Sequence, residues 1–201
     1  MNRHPVVLDH GLESHIPIPI RWVSPLENDG YAEYRDRDAL YRLDIAPTQV
    51  PLGDFWPNRG PQWDALGRAA DGSVVLVEAK AHIAEVVSGP SGAGADSLGR
   101  IRASLDQAKT WFGAPTTAEW NGPFYQYANR LAHLYYLSHL NGIDTHLVFV
   151  YFCGDDQMGG PADEAGWSNA LSSVYQVLGI AESHPAVVNV FVDVARLEGP
   201  L

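Results

Sequence analysis

Lysine and cysteine are almost missing from this chain: the lysines are Lys80 and Lys109, and the one cysteine is Cys153. A single cysteine forms no internal disulfide, and its place at the end of the apolar run LVFVYFC marks a buried thiol rather than a nucleophile. Positive charge is scarce altogether. Thirteen Lys and Arg against 24 Asp and Glu leave a net charge of −11, which argues against a protein that coats nucleic acid through a broad basic face. No run approaches the roughly 20 apolar residues of a bilayer span. The opening residues MNRHPVVLDHGLESH also lack the long apolar stretch of a secretory signal, so a cytoplasmic protein free of membranes is expected. The Gly-rich run at 88–99 lacks the GK[ST] ending of a phosphate-cradling loop and reads as a flexible connection. GxSxG, HExxH, GxGxxG and paired CxxC motifs do not occur, which removes the commonest signals for serine hydrolases, zinc peptidases, dinucleotide enzymes and zinc modules.

What remains is rich in core-forming material. Of 201 residues 46% are hydrophobic, with six Trp and nine Tyr, enough for one domain spanning 1–201 and the opposite of a disordered composition.

Periodicity then orders the elements. Residues 24–43 mix charge with Tyr31, Tyr34, Leu40, Tyr41 and Leu43, and Ser24-Pro25 followed by Glu27 predicts the start of an amphipathic surface helix. A proline-rich stretch at 47–61 has room for a short edge strand. Strand-like segments at 62–67 and 73–81, separated by Ala70-Asp71-Gly72, predict a hairpin. Leu98, Ile101, Leu105, Ala108 and Trp111 recur at helical spacing up to Gly113. A second helix is expected over 123–140, capped by Asn121 and stopped at Asn141-Gly142. The run 146–153 reads as a strand covered on both faces. A helix with Trp167, Leu171, Val174 and Leu178 on one side then leads into a last strand at 187–194.

Chemistry concentrates in VVLVEAKAH. Alternation along this strand puts Glu78, Lys80 and His82 on one face and Val75, Val77, Ala79 and Ala81 on the other. By itself the Glu-x-Lys pair is compatible with an ordinary ion pair where the strand emerges into water. Asp64 adds a second acid, because folding the hairpin about Asp71 returns residue 64 opposite residue 78. A parity condition attaches to this reading: a two-residue loop at Asp71-Gly72 would turn Asp64 away, so an odd-length loop or a bulge is required.

Asp64, thirteen intervening residues and then Glu78-Ala79-Lys80 after a hydrophobic strand resemble the D…(D/E)XK signature of the PD-(D/E)XK nuclease superfamily, with Trp63 in place of the proline. The resemblance covers about 24–153. It implies an α/β, restriction-endonuclease-like αβββαβ core, with a mixed central sheet flanked by helices and here a C-terminal helix–strand extension. It also implies that Asp64 and Glu78 bind Mg²⁺ or Mn²⁺ while Lys80 positions the attacking water and steadies the phosphate. A further metal-binding acid from the first helix is expected in such proteins; Glu33 is the candidate and Glu27 the reserve, against the simpler reading of both as solvated charges. Hard carboxylate oxygens suit these ions, and no Cys/His cluster suits zinc.

Gln126, Arg130 and His133 form a polar stripe on the helix after the motif. Either Gln126 and Arg130 face a scissile phosphate, with Arg130 reading it bidentately, or the stripe is a solvent face. His82 and His133 are not taken as ligands, since neutral histidines on packed faces are commoner. The expected activity is a metal-dependent endo- or exonuclease acting on nucleic acid, DNA in preference to RNA, with room for a homodimer. The alternative is an inactive nuclease-like fold serving as a binding or assembly module. A nuclease should gather Arg59, Arg68, Lys80, Arg100, Arg102, Lys109 and Arg130 around one cleft, whereas scattered cations favour the alternative.

Overall fold

A computed structural model describes residues 5–197 of the chain. The first described element is helix α1 (Pro5–Leu12), followed by strand β1 (Arg21–Ser24). Two short helices, α2 (Asp36–Arg42) and α3 (Leu52–Phe55), precede strands β2 (Ala65–Arg68) and β3 (Val74–Lys80). Helices α4 (Ala95–Trp111) and α5 (Tyr125–Tyr135) lead to β4 (Thr145–Cys153), then α6 (Glu164–Leu178) and β5 (Val187–Asp193). The strands form one sheet in the order β1-β2-β3-β4-β5. Its first two pairings are antiparallel and the last two parallel. The fold is therefore α/β, with a five-stranded mixed open sheet flanked by helices.

Alternation along the inner strands builds a core on each face of that sheet. Val74 and Leu76 of β3 join Leu147, Phe149 and Tyr151 of β4 beneath α4, α5 and α6. Val75 and Val77 join Val148 and Val150 beneath Leu8 and Leu12 of α1. Trp167, Leu171, Val174 and Leu178 are the buried residues of α6, as their helical spacing predicts. Among the described residues no helix is long and apolar enough to cross a membrane.

The first third of the chain departs from expectation. The single helix expected over 24–43 is replaced by the end of β1, a 3-10 turn (Glu27–Asp29) and the seven-residue α2. Ser24 does not cap a helix: it pairs with Leu66 at the end of β1, and its hydroxyl donates to Ala32 O at 2.9 Å. Tyr34 makes an isolated antiparallel bridge with Trp63, which holds the segment extended where a helix would have run. The edge strand lies at 21–24, upstream of that segment, and the proline-rich stretch instead contains α3. Asn121 does not cap α5 either; its Oδ1 accepts from Ser91 N at 3.0 Å and pins the Gly-rich connection.

Candidate functional site

The hairpin meets the parity condition. Pairing runs from Ala65↔Val77 to Arg68↔Val74, leaving the odd-numbered connection 69–73. Asp71 Oδ1 accepts from Ser73 N at 2.9 Å and Ser73 Oγ at 2.7 Å, while Gly72 takes φ 87, a left-handed conformation that disfavours a Cβ. Asp64, next in line beyond the last pair, therefore comes back beside Glu78. Its N–H donates to Val77 O at 3.1 Å, and its Oδ2 accepts from Ala79 N at 2.6 Å.

Glu78 and Lys80 continue the face of β3 that begins with Val74 and Leu76, the face that α5 covers. Both are buried, at 4% and 7% exposure, so their charges need partners. Lys80 Nζ lies 2.6 Å from Glu78 Oε1 and donates to Gln126 Oε1 at 3.3 Å. Arg130 Nε and Nη2 donate to Glu78 Oε2 at 2.8 and 2.6 Å. Arg130 Nη2 also reaches Gln62 O at 3.0 Å, and its Nη1 reaches Asn129 Oδ1 at 2.8 Å. The Trp63 ring lies against the guanidinium, 5.4 Å from Cζ to the ring centroid. Trp63, the residue before Asp64, thus helps to hold Arg130.

Glu78, Lys80 and Arg130 line an open, polar cleft with Glu33, Gln62, Asp64, Glu85, Ser88 and Gln126. Asp64 is its electrostatic focus: burial, then the charge of Glu78, push its carboxyl up to about 6 despite the Ala79 N–H. The carboxylate is thus short of positive charge, and among the described residues its Oδ1 has no hydrogen-bond partner.

Glu33 also lines the cleft, but from an exposed extended segment rather than from a first helix, and its Oε2 accepts from Gln62 Nε2 at 3.0 Å. Its charge reaches Asp64, contributing to the upward shift there. Glu27 lies in the 3-10 turn and does not line the cleft. Among the described residues no group of three or more His, Cys, Asp or Glu side chains is arranged to hold a metal ion, so Glu33 does not complete a three-acid cluster with Asp64 and Glu78. A two-carboxylate set remains, with Asp64 Oδ1 unengaged and both Glu78 oxygens already paired. That set fits a dication of the Mg²⁺ class, which takes one or two protein carboxylates and fills its remaining positions with water and phosphate oxygens.

Neither reading of the polar stripe holds for all three residues. Gln126 is exposed at the cleft, whereas Arg130 and His133 are both buried, at 7% exposure. Arg130 does line the cleft, but its Nε, Nη1 and Nη2 all donate within the protein, so it orients Glu78 instead of offering a free fork to a phosphate. His133 packs its ring against Phe55, Trp56 and Trp63, and burial drives its pKa down to about 3. It is a neutral core residue whose Nδ1 donates to Asn129 O.

The expected gathering of cations does not occur, since among the described residues only Lys80 and Arg130 line the cleft. Arg68 sits at the turn end of the hairpin, Arg100 Nη1 donates to Gly53 O at 2.6 Å, and Lys109 pairs with Asp106 at 2.9 Å near the C-terminus of α4. Arg102 projects from α4 outside the cleft lining, and Arg59 lines a neighbouring one.

Three polar cleft residues, Gln62, Glu85 and Ser88, are additional to those the sequence points to. Gln62 lies two positions before Asp64, a spacing that could have suggested it. Glu85 Oε2 accepts from Ala81 N at 2.7 Å, a bond within the turn that follows β3, and Ser88 Oγ accepts from Gln126 N at 2.9 Å, a tertiary bond with no local sequence signal. Compared with known proteins, the chain matches no family model, no curated protein and no solved structure.

Proposed function

We propose that this protein is a metal-dependent phosphodiesterase of the nuclease type, with Asp64 and Glu78 as ligands for Mg²⁺ or Mn²⁺ and Lys80 as the cation beside the reacting phosphate. The observation that carries the reading is the convergence of Asp64, Glu78 and Lys80 on one open cleft, from two strands whose turn has the required parity. The element order, α1 and three strands, with short α2 and α3 inserted between β1 and β2, then helices and parallel β4, is compatible with a restriction-endonuclease-like core. That core would begin at α1, earlier than residue 24. An open groove suits a polymer better than a closed pocket would, and nucleic acid, DNA in preference to RNA, is the substrate we assign.

The protein's own groups have separable tasks. Lys80 carries three N–H donors. Two directions are taken by Glu78 and Gln126, leaving the third for a non-bridging phosphate oxygen. Gln126 accepts from Lys80 through Oε1, so its amide N–H groups are free for the substrate. Arg130 holds Glu78 in place, as a positioning residue. A bound dication would polarise the phosphodiester and lower the pKa of a coordinated water. Water attacks phosphorus and gives up a proton to the solvent of the open cleft, the ester P–O bond breaks and the leaving oxygen takes a proton from that solvent, with no covalent enzyme intermediate.

One observation favours a second reading, a non-catalytic binding module: Glu78 is matched by two buried cations and the remaining basic residues are scattered. Incubation with labelled single- and double-stranded DNA and RNA, in Mg²⁺, Mn²⁺ or EDTA, separates the two. Metal-dependent cleavage that disappears in Lys80→Ala is the expected result. No cleavage by folded protein in any condition would shift the assignment to the binding module.

A further inference from the structure

A second cleft lies on the other side of the first turn of α5. Gln126 and Arg130, four residues apart, face the cleft described above, while Tyr125 and Asn129, at the same spacing, line the second. The Gly-rich connection runs along both, with Ser88 at the first and residues 91–94 at the second. The Asn129 side chain joins them, since its Oδ1 accepts from Arg130 Nη1 at 2.8 Å.

The two clefts have opposite electrostatic character. The first is lined by Glu33, Asp64, Glu78 and Glu85, whereas among the described residues no acid lines the second, a contrast that matters in a chain of net charge −11. Its one charged lining residue is Arg59, exposed, whose guanidinium makes no ion pair or hydrogen bond among the described residues. The Arg59 backbone is held: Asp36 Oδ2 accepts from Arg59 N and Asp36 Oδ1 from Gly60 N, both at 2.8 Å. Gly94 and Ser97 bring the start of the 17-residue α4 to the same cleft, and no side chain caps that helix. Its first-turn N–H groups are therefore open to an anion, with Asp96 the one acid in that turn and outside the cleft lining. Independently of the helix, Asn129 is 6% exposed, yet its Nδ2 has no hydrogen-bond partner among the described residues. This amide donor opens onto the cleft with no protein acceptor and is free to donate to a ligand there.

We infer that this second cleft is a phosphate subsite for the substrate strand, taking a phosphodiester group that flanks the one in the Asp64–Glu78 cleft. Arg59, Asn129 Nδ2 and the start of α4 contact it, and Tyr125 lies beside it. The inference rests on the nuclease reading for its occupant, a nucleic acid strand. It assigns positive potential to the strand's path outside the acidic catalytic cleft.

The test is the affinity of the full chain for a fluorescein-labelled 12-nucleotide single strand, titrated in EDTA over a series of salt concentrations, beside metal-dependent cleavage assays. Arg59→Gln should weaken binding roughly tenfold at low salt, the scale of a charge-assisted hydrogen bond. It should also reduce the salt slope by about 0.7, one phosphate contact on a single strand. Ser97→Asp adds a second acid to the first turn of α4, beside Asp96 but at a position that lines the cleft, so protein that folds normally but binds more weakly would support the subsite. Wild-type binding by both variants would overturn the subsite and leave the cleavage reading intact. Binding sensitive to Arg59→Gln without metal-dependent cleavage would retain the subsite and remove the hydrolytic reading. Failure of the wild-type chain to bind the strand would overturn the subsite. Displacement of the strand by millimolar inorganic phosphate at matched ionic strength would reassign the cleft to free phosphate and overturn the strand proposal.

Discussion

Glu78 and Arg130 lie 52 residues apart in the chain, yet Nε and Nη2 of the arginine converge on one oxygen of the glutamate, at 2.8 and 2.6 Å. With Lys80 on the other oxygen at 2.6 Å, a buried acid is held between two cations from different elements.

Arg130→Met should therefore destabilise the fold by about 3 kcal/mol or more, because Glu78 keeps its burial and loses a partner while Gln62 O loses a donor. Arg130→Met combined with Glu78→Gln should recover a substantial part of that loss. Urea unfolding of the single and double variants measures it, and equal losses in both would mean that the ion pair is not the cause.

Asp64 makes stability depend on pH with a definite sign. Its folded-state pKa of about 6 lies above the ordinary aspartate value of about 3.9, so the folded protein binds the proton more tightly than the unfolded chain. The stabilisation is complete below about pH 4 and is lost as pH rises through about 6, with a magnitude on the order of 2–3 kcal/mol. Asp64→Asn should be more stable than the parent at pH 7.5 and flatten this part of the profile. Urea midpoints from pH 4 to 8 test it, and a profile unchanged by the substitution would show that Asp64 is not the titrating group.

Lys80→Met keeps the aliphatic stem and leaves Glu78 with Arg130. Under the proposed function it should lower cleavage by roughly 100-fold or more, the cost of removing one donor from developing charge. It should disturb stability less than Arg130→Met, since Arg130 provides two of the three hydrogen bonds to Glu78. A far-ultraviolet spectrum and an unfolding curve beside the kinetics separate lost chemistry from a lost fold.

The turn can be tested directly. Deleting Ala70 makes the 69–73 connection even-numbered, and the register must then slip by one. Either Leu66 leaves the core beneath α4–α6 or Asp64 turns away from Glu78. A drop in melting temperature of several degrees, or a loss of Mg²⁺-dependent stabilisation, is expected, while Ala70→Gly should cost much less. A deletion variant with both properties intact would refute the register argument.

Much of this organisation was legible from local pattern. The alternation in VVLVEAKAH places Glu78 and Lys80 on one face whatever the neighbours, because successive strand residues point to opposite sides. The Asp71-Gly72 pair identifies the turn, and the helical spacing of Trp167, Leu171, Val174 and Leu178 identifies the buried face of α6. The segment before the hairpin was less legible because its competing influences are not local. Helix-like spacing at 24–43 yields to the pairing of Ser24 with Leu66 and of Tyr34 with Trp63.

The sequence by itself determined which chemical groups the hairpin carries and, through alternation and turn type, which face they share. The tertiary structure alone decided how they behave. It buried Arg130 against Glu78 and away from solvent, brought Glu33 to the cleft from an extended segment, and raised the pKa of Asp64. Periodicity acts between residues a few positions apart, whereas ion pairing, burial and desolvation depend on atoms that meet only when distant elements pack together.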